Sequence, residues 1–389
     1  MTEKGFRPTF RRELRRIASK PAYWLAVAVF PAITAVFYYQ LMGAGILREL
    51  PIAVHDADNS PLSRQLLRYV EASPTLRITE RYQSLEEGKA GLLEGKVYAL
   101  LYLPQDFEKG FYRGSGSEAE LFHSYISMAA GGNVSKAVTM VASTFSAGVE
   151  IQTRMKKGSS QAKAMNDFMP IRLISHSLSN PDVNYFYFLG GALIWVAMMS
   201  FVTITSIYAM GSEIRFRSAR QWMGTAGGSI YKALAGKLLP YTIAYGITAV
   251  GIHYLLFRMA GFPLNGDERA LYLAYFLFIL ACQGLAVAFV SLQPVLRKAL
   301  TSGLLFCGFA FTCAGVTFPS SELPGGFRAL SQIIPFTHFV EAFFGQSMRG
   351  IPLAYQTGTY LSLAAFLCLF AMAPLLRKRL ISPKRKRLL

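Results

Sequence analysis

Long apolar stretches alternate with polar ones along the chain. A helix needs about 20 mostly apolar residues to cross a bilayer. Six stretches meet this length, and none has Asp, Glu, Lys or Arg in its central part: 23–42, 185–210, 238–257, 271–292, 299–318 and 353–376. Tyr and Trp lie near several of their ends, as is typical at headgroup level. The pattern predicts an α-helical integral membrane protein with six transmembrane helices, one plus five.

The first stretch also has some features of a secretory signal peptide. A basic segment precedes it and a run of small residues, 43–45, follows it. The apolar core of a signal peptide is usually about 7–15 residues long, which is shorter than this stretch. We therefore favour an uncleaved transmembrane helix at 23–42, preceded by a basic N-terminus at 1–22.

The polar segment 43–184 has the alternating pattern of a small α/β domain. Its short apolar runs are typical of strands, and the segments between them repeat apolar residues at helical spacing. The predicted strands are 51–55, 76–79, 97–103, 119–125 and 171–175, and the predicted helices are 61–70, 84–94, 105–112 and 128–156. The last helix is amphipathic, and its apolar face either packs on the sheet or forms a dimer or partner surface. A polar linker follows at 156–163.

Composition supports the membrane prediction and charge placement gives an orientation. The chain is 52% hydrophobic and only 16% charged, with a net charge of +18, whereas soluble domains carry about a quarter charged residues. Four segments hold the whole excess: 1–20, 211–237, 293–298 and 377–389. Because cytoplasmic loops are enriched in Lys and Arg, we expect both termini in the cytoplasm. These segments would bind anionic lipids, and no nucleic-acid role is expected.

The sequence has no recognisable catalytic or metal motif. It lacks the Gly-rich phosphate loop of ATPases, the nucleophile elbow of hydrolases and the His pairs of zinc enzymes. All four cysteines lie in apolar stretches, which is typical of small core residues. His253 is the only ionisable residue inside an apolar stretch, and we interpret it, with Gln283, as a candidate polar group of a pathway or as a satisfied core residue. The chain is thus expected to bind no cofactor of its own.

Two further segments carry candidate functional residues. In the loop 211–237, charged and aromatic residues could form one interfacial helix that lies on the membrane or docks in a partner. These residues are Glu213, Arg215, Arg217, Arg220, Trp222 and Met223. In 319–350, an apolar run of 15 residues at 330–344 is too short to span, so a re-entrant hairpin at an outer gate is predicted. Its candidates are Pro319, Pro324, Pro335, Thr337, His338 and Glu341, with a local hydrogen bond expected between the last two.

The order of these segments, together with several short motifs, resembles the permease subunits of type-two ABC exporters, in the drug-export branch with a large periplasmic domain between the first two spans. The run IAVHDADNSPLSRQL after the first stretch, ALLYLPQDF at 99–107 and the prolines of 319–350 are similar to family patterns. Gly236, Lys237 and Pro240 match a G-K-x-x-P motif at the start of the third stretch. Where the family often has E-x-x-x-G-T, Glu213 is followed by Arg217 and Ser218.

The resemblance implies a mechanism and a set of partners. Two permeases, identical or paralogous, would pair in the bacterial inner membrane, and the 211–237 loop would couple them to a separate ABC ATPase that binds ATP and Mg. The outer domain would meet a periplasmic adaptor and an outer-membrane channel, and apolar pathway walls would suit amphipathic or lipophilic substrates. Two alternatives remain: a membrane-anchored sensor or scaffold that uses the outer domain, and a membrane enzyme, which would need a polar cluster at the interface. The domain division is then 1–22, 23–42, 43–184, 185–376 and a basic tail at 377–389.

Overall fold

The structure is a computed structural model that describes residues 4–113, 117–156, 158, 160, 179, 180, 184–293, 295–319 and 322–381. The chain divides into two compact units. The smaller unit is Ile46–His176, and the larger combines Met1–Gly45 with Ser177–Leu389. The predicted strand at 171–175 and most of the basic tail lie outside the described residues.

The smaller unit is a four-stranded mixed sheet covered by helices. Its elements are β1 (Leu50–Asp56), α3 (Pro61–Glu71), β2 (Leu76–Arg81), α4 (Leu85–Leu93), β3 (Ala99–Leu103), α5 (Phe107–Arg113), β4 (Glu120–His123) and α6 (Met128–Lys156). The strand order is β2-β1-β3-β4, with β1 parallel to both β2 and β3 and with β4 antiparallel to β3. The strands and helices predicted between 51 and 156 are confirmed, with ends that differ by a few residues.

Local signals explain why these elements start where they do. Ser60 caps α3 by accepting a hydrogen bond from the Ser63 amide at 3.0 Å, and Pro61 fills the first helical position. On α6, Val134, Val138 and Phe145 are buried in one core with β1, β3 and α3. Of the two interpretations of this helix face, packing against the sheet is therefore confirmed.

The larger unit is helical. Its elements are α1 (Phe6–Ser19), α2 (Pro21–Met42), α7 (Phe186–Arg215), α8 (Ala219–Thr225), α9 (Ile230–Met259), α10 (Glu268–Leu292), α11 (Leu296–Cys313), α12 (Gly325–Gln332), α13 (Pro335–Phe344) and α14 (Leu353–Leu380). Within the described residues, five helices are long and apolar enough to cross a membrane: α2, α7, α9, α10 and α14. They correspond to five of the six predicted stretches.

The predicted stretch 299–318 forms α11, which is not among those five. This helix begins earlier than predicted, so its first turn includes Arg297 and Lys298, and it ends at Cys313. It packs tightly against α7, since a Cβ on Gly303 would lie 2.5 Å from the Ile207 side chain. The count of six spans therefore stays a prediction.

The segment 319–350 contains two short helices, α12 and α13, so the apolar run 330–344 does not form one continuous helix. Most of α12 is exposed, whereas α13 is buried among the long helices. An aromatic cluster fixes the position of α13. Phe339 of α13 stacks on Phe278 with ring centroids 4.1 Å apart, and Trp195 stacks on Tyr275 at 4.4 Å in the same cluster. Such offset ring pairs stabilise packing beyond the area that they bury.

Candidate functional site

The N-terminal helix α1 is amphipathic and docks on the start of α9. Thr9 and Glu13, one helical turn apart, are both about 1% exposed, whereas Arg7, Arg11 and Arg15 face outward. Gly236 makes this approach possible, because a Cβ there would lie 2.8 Å from the Thr9 Cβ. The sequence interpretation treated this segment only as a basic N-terminus and missed its packed face.

Glu213, at the end of α7, is completely buried and accepts hydrogen bonds from three cations. Arg12 binds it through both guanidinium nitrogens, at 2.8 and 3.1 Å, and Arg16 binds it at 2.9 Å. Lys237 Nζ on α9 lies 2.9 Å from the same carboxylate. The hydroxyl of Ser218 also donates to Glu213. One carboxylate thus joins α1, α7, α9 and the loop that follows α7.

Lys237 links this carboxylate to a second one, Glu13 of α1. The Lys237 ammonium lies 2.6 Å from Glu13 Oε2, and the Tyr241 hydroxyl donates to Glu13 Oε1 at 2.9 Å. Lys237 and Glu213 are both 0% exposed, and Glu13 is 1% exposed. We call this group of Arg12, Glu13, Arg16, Glu213 and Lys237 the ion network.

The ion network holds three cations and two carboxylates, so it keeps a surplus positive charge. Burial alone would lower the pKa of the Arg16 guanidinium, but the carboxylates of Glu13 and Glu213 raise that pKa above its ordinary value. Arg16 therefore remains charged and adds a bond of 2.7 Å to the Ser212 hydroxyl. Buried charges are tolerated when they are paired and their hydrogen-bonding capacity is used, and both conditions hold here.

The structure corrects the expectation that 211–237 carries one interfacial helix with Trp222 and Met223 as exposed anchors. Glu213 and Arg215 end α7, whereas Arg220 and Trp222 lie on the separate short helix α8. Trp222 is fully buried; its indole N–H donates to the Ala233 carbonyl at 3.2 Å, and Lys237 Nζ lies 5.0 Å from its ring centroid. Met223 is also buried. Both residues therefore pack inside the unit.

Of the candidate residues in this loop, the three that remain exposed are basic. Arg215, Arg217 and Arg220 are exposed around α8. A groove of about 690 Å³ runs between α8 and α1, with Arg11 and Arg15 among its lining residues. This surface attracts anions or acidic protein segments, and its charge is screened by salt.

The two residues that depart from the family motif, Arg217 and Ser218, lie in the turn between α7 and α8. Arg217 has a φ of 59°, in the left-handed region that favours glycine, which is the usual family residue at that position. Ser218 supplies the hydroxyl that a threonine would supply, and it donates to Glu213. The Ser218 hydroxyl thus connects the loop to the carboxylate, and the backbone is strained at Arg217.

The two polar pathway candidates are both hydrogen-bonded between neighbouring helices. Gln283 on α10 accepts from the Thr242 hydroxyl at 3.0 Å and donates to the Leu238 carbonyl at 3.3 Å. His253 on α9 binds Glu268 through Nε2 at 2.9 Å and Tyr275 through Nδ1 at 3.1 Å. His253 is thus a satisfied core histidine, which is one of the two interpretations that the sequence left open.

The candidates in 319–350 are spread over different surroundings. Pro319 and Pro324 are exposed, and Pro335 begins the buried α13. His338 is buried and donates from Nε2 to the Gln332 carbonyl at 3.0 Å, whereas Glu341 is exposed. The expected bond between His338 and Glu341 is therefore wrong.

Thr337 is also buried, and its hydroxyl has no hydrogen-bond partner within the described residues. Among all the residues that the structure describes, no group of three or more His, Cys, Asp or Glu side chains could hold a metal ion.

Comparison with known proteins identifies the family. The chain matches the model of a family described as "ABC-2 family transporter protein" over residues 21–376. It is also 26% identical to "Nodulation protein J" of Rhizobium meliloti (strain 1021) over 219 residues, which are 51% of this chain and 76% of that protein. The family match covers the smaller unit, four of the five apolar helices and most of α14. The chain therefore belongs to the ABC-2 family of transporter proteins and is a membrane permease of the ABC transporter type.

Proposed function

We propose that the chain is the permease subunit of an ATP-driven exporter, energised by a separate ATPase subunit that binds ATP and Mg. One observation carries this proposal. The exposed helix α8 is attached to two long helices at once, because Ser218 at its start donates to Glu213 of α7 and Trp222 packs against Lys237 of α9. A partner protein that pushes on the exposed face of α8 would therefore move α7 and α9 together.

The ion network sets how that force is transmitted. Glu213 and Lys237 bind each other directly, and both also bind side chains of α1, so α1 moves with the same assembly. Rigid-body displacement of packed helices is a common way to convert a local event into gate movement. When the partner ATPase closes around ATP, it would press on α8 and displace α7 and α9 as one body, which opens the pathway outward.

The remaining parts of the proposal follow from charge and family. The basic α1, the α8 region and the tail would face the cytoplasm of a bacterial inner membrane, with anionic lipids near them. A second permease, identical or paralogous, would complete the pathway. The smaller α/β unit would lie outside and meet an adaptor and an outer-membrane channel, and the substrate would be amphipathic or lipophilic, as for drug export.

The experiment reverses an exposed charge on α8. In Arg220→Glu, the permease should insert normally but lose most co-purification with its ATPase, and ATP hydrolysis should no longer respond to substrate in reconstituted vesicles. Arg269→Glu is the matched control, since Arg269 is also exposed and lies at the first turn of α10, away from α8.

Equal ATPase binding and equal coupling in both variants would rule out α8 as the docking element. A membrane sensor or scaffold, the alternative function, would show neither an ATPase partner nor substrate-dependent hydrolysis in the unmodified protein. Glu213→Ala and Trp222→Ala are less informative here, because both side chains are buried and their loss also loosens the loop.

A further inference from the structure

A second concave site lies away from the ion network, in an open cleft between α10, α11, the turn joining α12 to α13, and α14. Its volume is about 430 Å³, within the range of pockets that hold small organic molecules. Apolar side chains form most of the wall: Leu285, Phe306, Phe366 and Leu369. Two polar residues, Gln332 and His338, lie on the α12–α13 side, and a third, Ser362, lies on α14.

The hydrogen bonding of His338 determines which group the cleft recognises. Its Nε2 lies 3.0 Å from the Gln332 carbonyl, and a carbonyl only accepts, so Nε2 carries the proton. In the neutral ring the other nitrogen, Nδ1, is then an acceptor. Phe366 borders the same ring, with centroids 6.0 Å apart. The cleft thus has an apolar wall and is lined by a side chain with one acceptor nitrogen.

The backbone around Phe366 departs from an α-helix at the side of α14 that lines the cleft. Residues Phe366–Met372 form a 3-10 helix inside α14, which shifts side chains away from their α-helical positions. The same stretch touches α10 closely, because a Cβ on Gly284 would lie 2.9 Å from the Phe366 carbonyl oxygen. The 3-10 stretch therefore forms the α14 wall of the cleft, and close contact with α10 holds it in place.

We propose that this cleft binds a small, flat, lipophilic molecule that donates one hydrogen bond to His338 Nδ1. The cleft would then be a substrate site within a single protomer. This interpretation rests on the proposed function, the export of amphipathic compounds. A phospholipid acyl chain could fill the same apolar wall, but it has no donor group. A preference for ligands with a hydrogen-bond donor therefore distinguishes the proposed ligand from lipid acyl chains.

The chain contains its own reporter for occupancy. Cys368 is exposed and lines the cleft, whereas Cys282, Cys307 and Cys313 are buried. The full chain in lipid nanodiscs would be treated with N-ethylmaleimide, and modification followed by intact mass. The probes are 2-naphthol, which has a donor, and 2-methoxynaphthalene, which has nearly the same shape without one.

We expect 2-naphthol to protect Cys368 at a concentration about three- to tenfold lower than 2-methoxynaphthalene, the difference that one hydrogen bond provides. In His338→Phe the two probes should protect equally. His338→Leu, which also has no acceptor but is smaller than Phe, should give the same equality. Ala365→Phe, which fills the cleft from an exposed position on α14, should abolish protection by both probes.

Protection of Cys368 by neither probe, or equal protection by both in the unmodified chain, would overturn the proposal. Cys368→Ser identifies any background reaction at the buried thiols. Because the assay contains no ATPase, its result does not depend on coupling through α8. If the ATPase did not dock but Cys368 protection still favoured 2-naphthol, the proposed function would be rejected and the binding site would stand. If the ATPase docked but 2-naphthol had no advantage, only the binding site would be rejected.

Discussion

Each end of α9 carries a buried polar side chain, and the two differ in the charge and exposure of their partners. Lys237 lies in the second turn and His253 near the other end, which places them about 24 Å apart along a helix. Lys237 is held by permanent charges from two other segments, α1 and α7. His253 has its polar contacts with one neighbouring helix, α10, and its partner Glu268 has a side chain that is 35% exposed.

This difference shows where the helix is fixed and where it can adjust. Water competes little for the charges of the ion network, so removing one member leaves another buried charge without its partner. At the His253 end, water reaches Glu268, which weakens the pair and softens the loss of either member. We infer that α9 moves with α1 and α7 at one end and repacks against α10 at the other.

The largest expected effect comes from removing the cation that joins both carboxylates. Lys237→Met keeps the side-chain length but leaves Glu13 Oε2 and Glu213 Oε1 without the ammonium. We expect a loss of about 3–5 kcal/mol in the free energy of unfolding, the usual result of breaking a buried ion pair. It would be measured as a lower temperature of half-unfolding in detergent.

Lys232→Met is the matched control, since Lys232 is exposed and lies on the same helix. It removes an equal charge without disturbing the ion network, so its stability should stay near that of the unmodified protein. If both variants unfolded at the same temperature, the ion network would not be the fixed end of α9.

An intermediate effect is expected where α1 meets α9. In Gly236→Ala, the new methyl group would lie 2.8 Å from the Thr9 Cβ and 3.1 Å from the Phe6 carbonyl oxygen, so α1 must shift outward. Overpacking of this kind typically costs about 1–3 kcal/mol. Release of α1 would be detected as faster trypsin cleavage after Arg11 and Arg15, which are exposed on α1.

The control for this variant is Gly246→Ala on the same helix, where a Cβ would have no neighbour within 4 Å. It should leave trypsin cleavage within α1 unchanged, and it tests whether a general rise in the helix propensity of α9 matters. Slower or unchanged cleavage in Gly236→Ala would mean that α1 is not held by this contact.

The fold was largely predictable because periodicity is a local property. Apolar stretches of spanning length located five long helices, and alternating short runs located β1, β2, β3 and β4 in the smaller unit. The stretch 299–318 was harder, because the true helix α11 begins among charged residues, at Leu296. Element ends depend on caps and on contacts that hydropathy does not record.

The ion network was not predictable in the same way. Lys237 pairs with Glu13 across 224 residues of sequence, and neither residue has a local pattern that names its partner. The motif around Lys237 marked this residue as a candidate without indicating its partners, and the amphipathic spacing of Thr9 and Glu13 was an available signal that was overlooked. Trp222 was misplaced because an aromatic residue in a basic loop is typical of an interfacial anchor as well as of a core.

The smallest expected effect tests the adjustable end of α9. In Glu268→Gln, His253 keeps its bond to Tyr275 and can still donate from Nε2 to the amide oxygen, so only the charge is lost. Because Glu268 is partly exposed and lies 3.9 Å from Arg258, we expect a change of about 0.5–1 kcal/mol or less in unfolding free energy. The same measurement on Glu341→Gln, an exposed carboxylate on α13, provides the baseline. A loss in Glu268→Gln as large as in Lys237→Met would show that both ends of α9 are fixed, and the helix would then have to move as one rigid rod between α7 and α10.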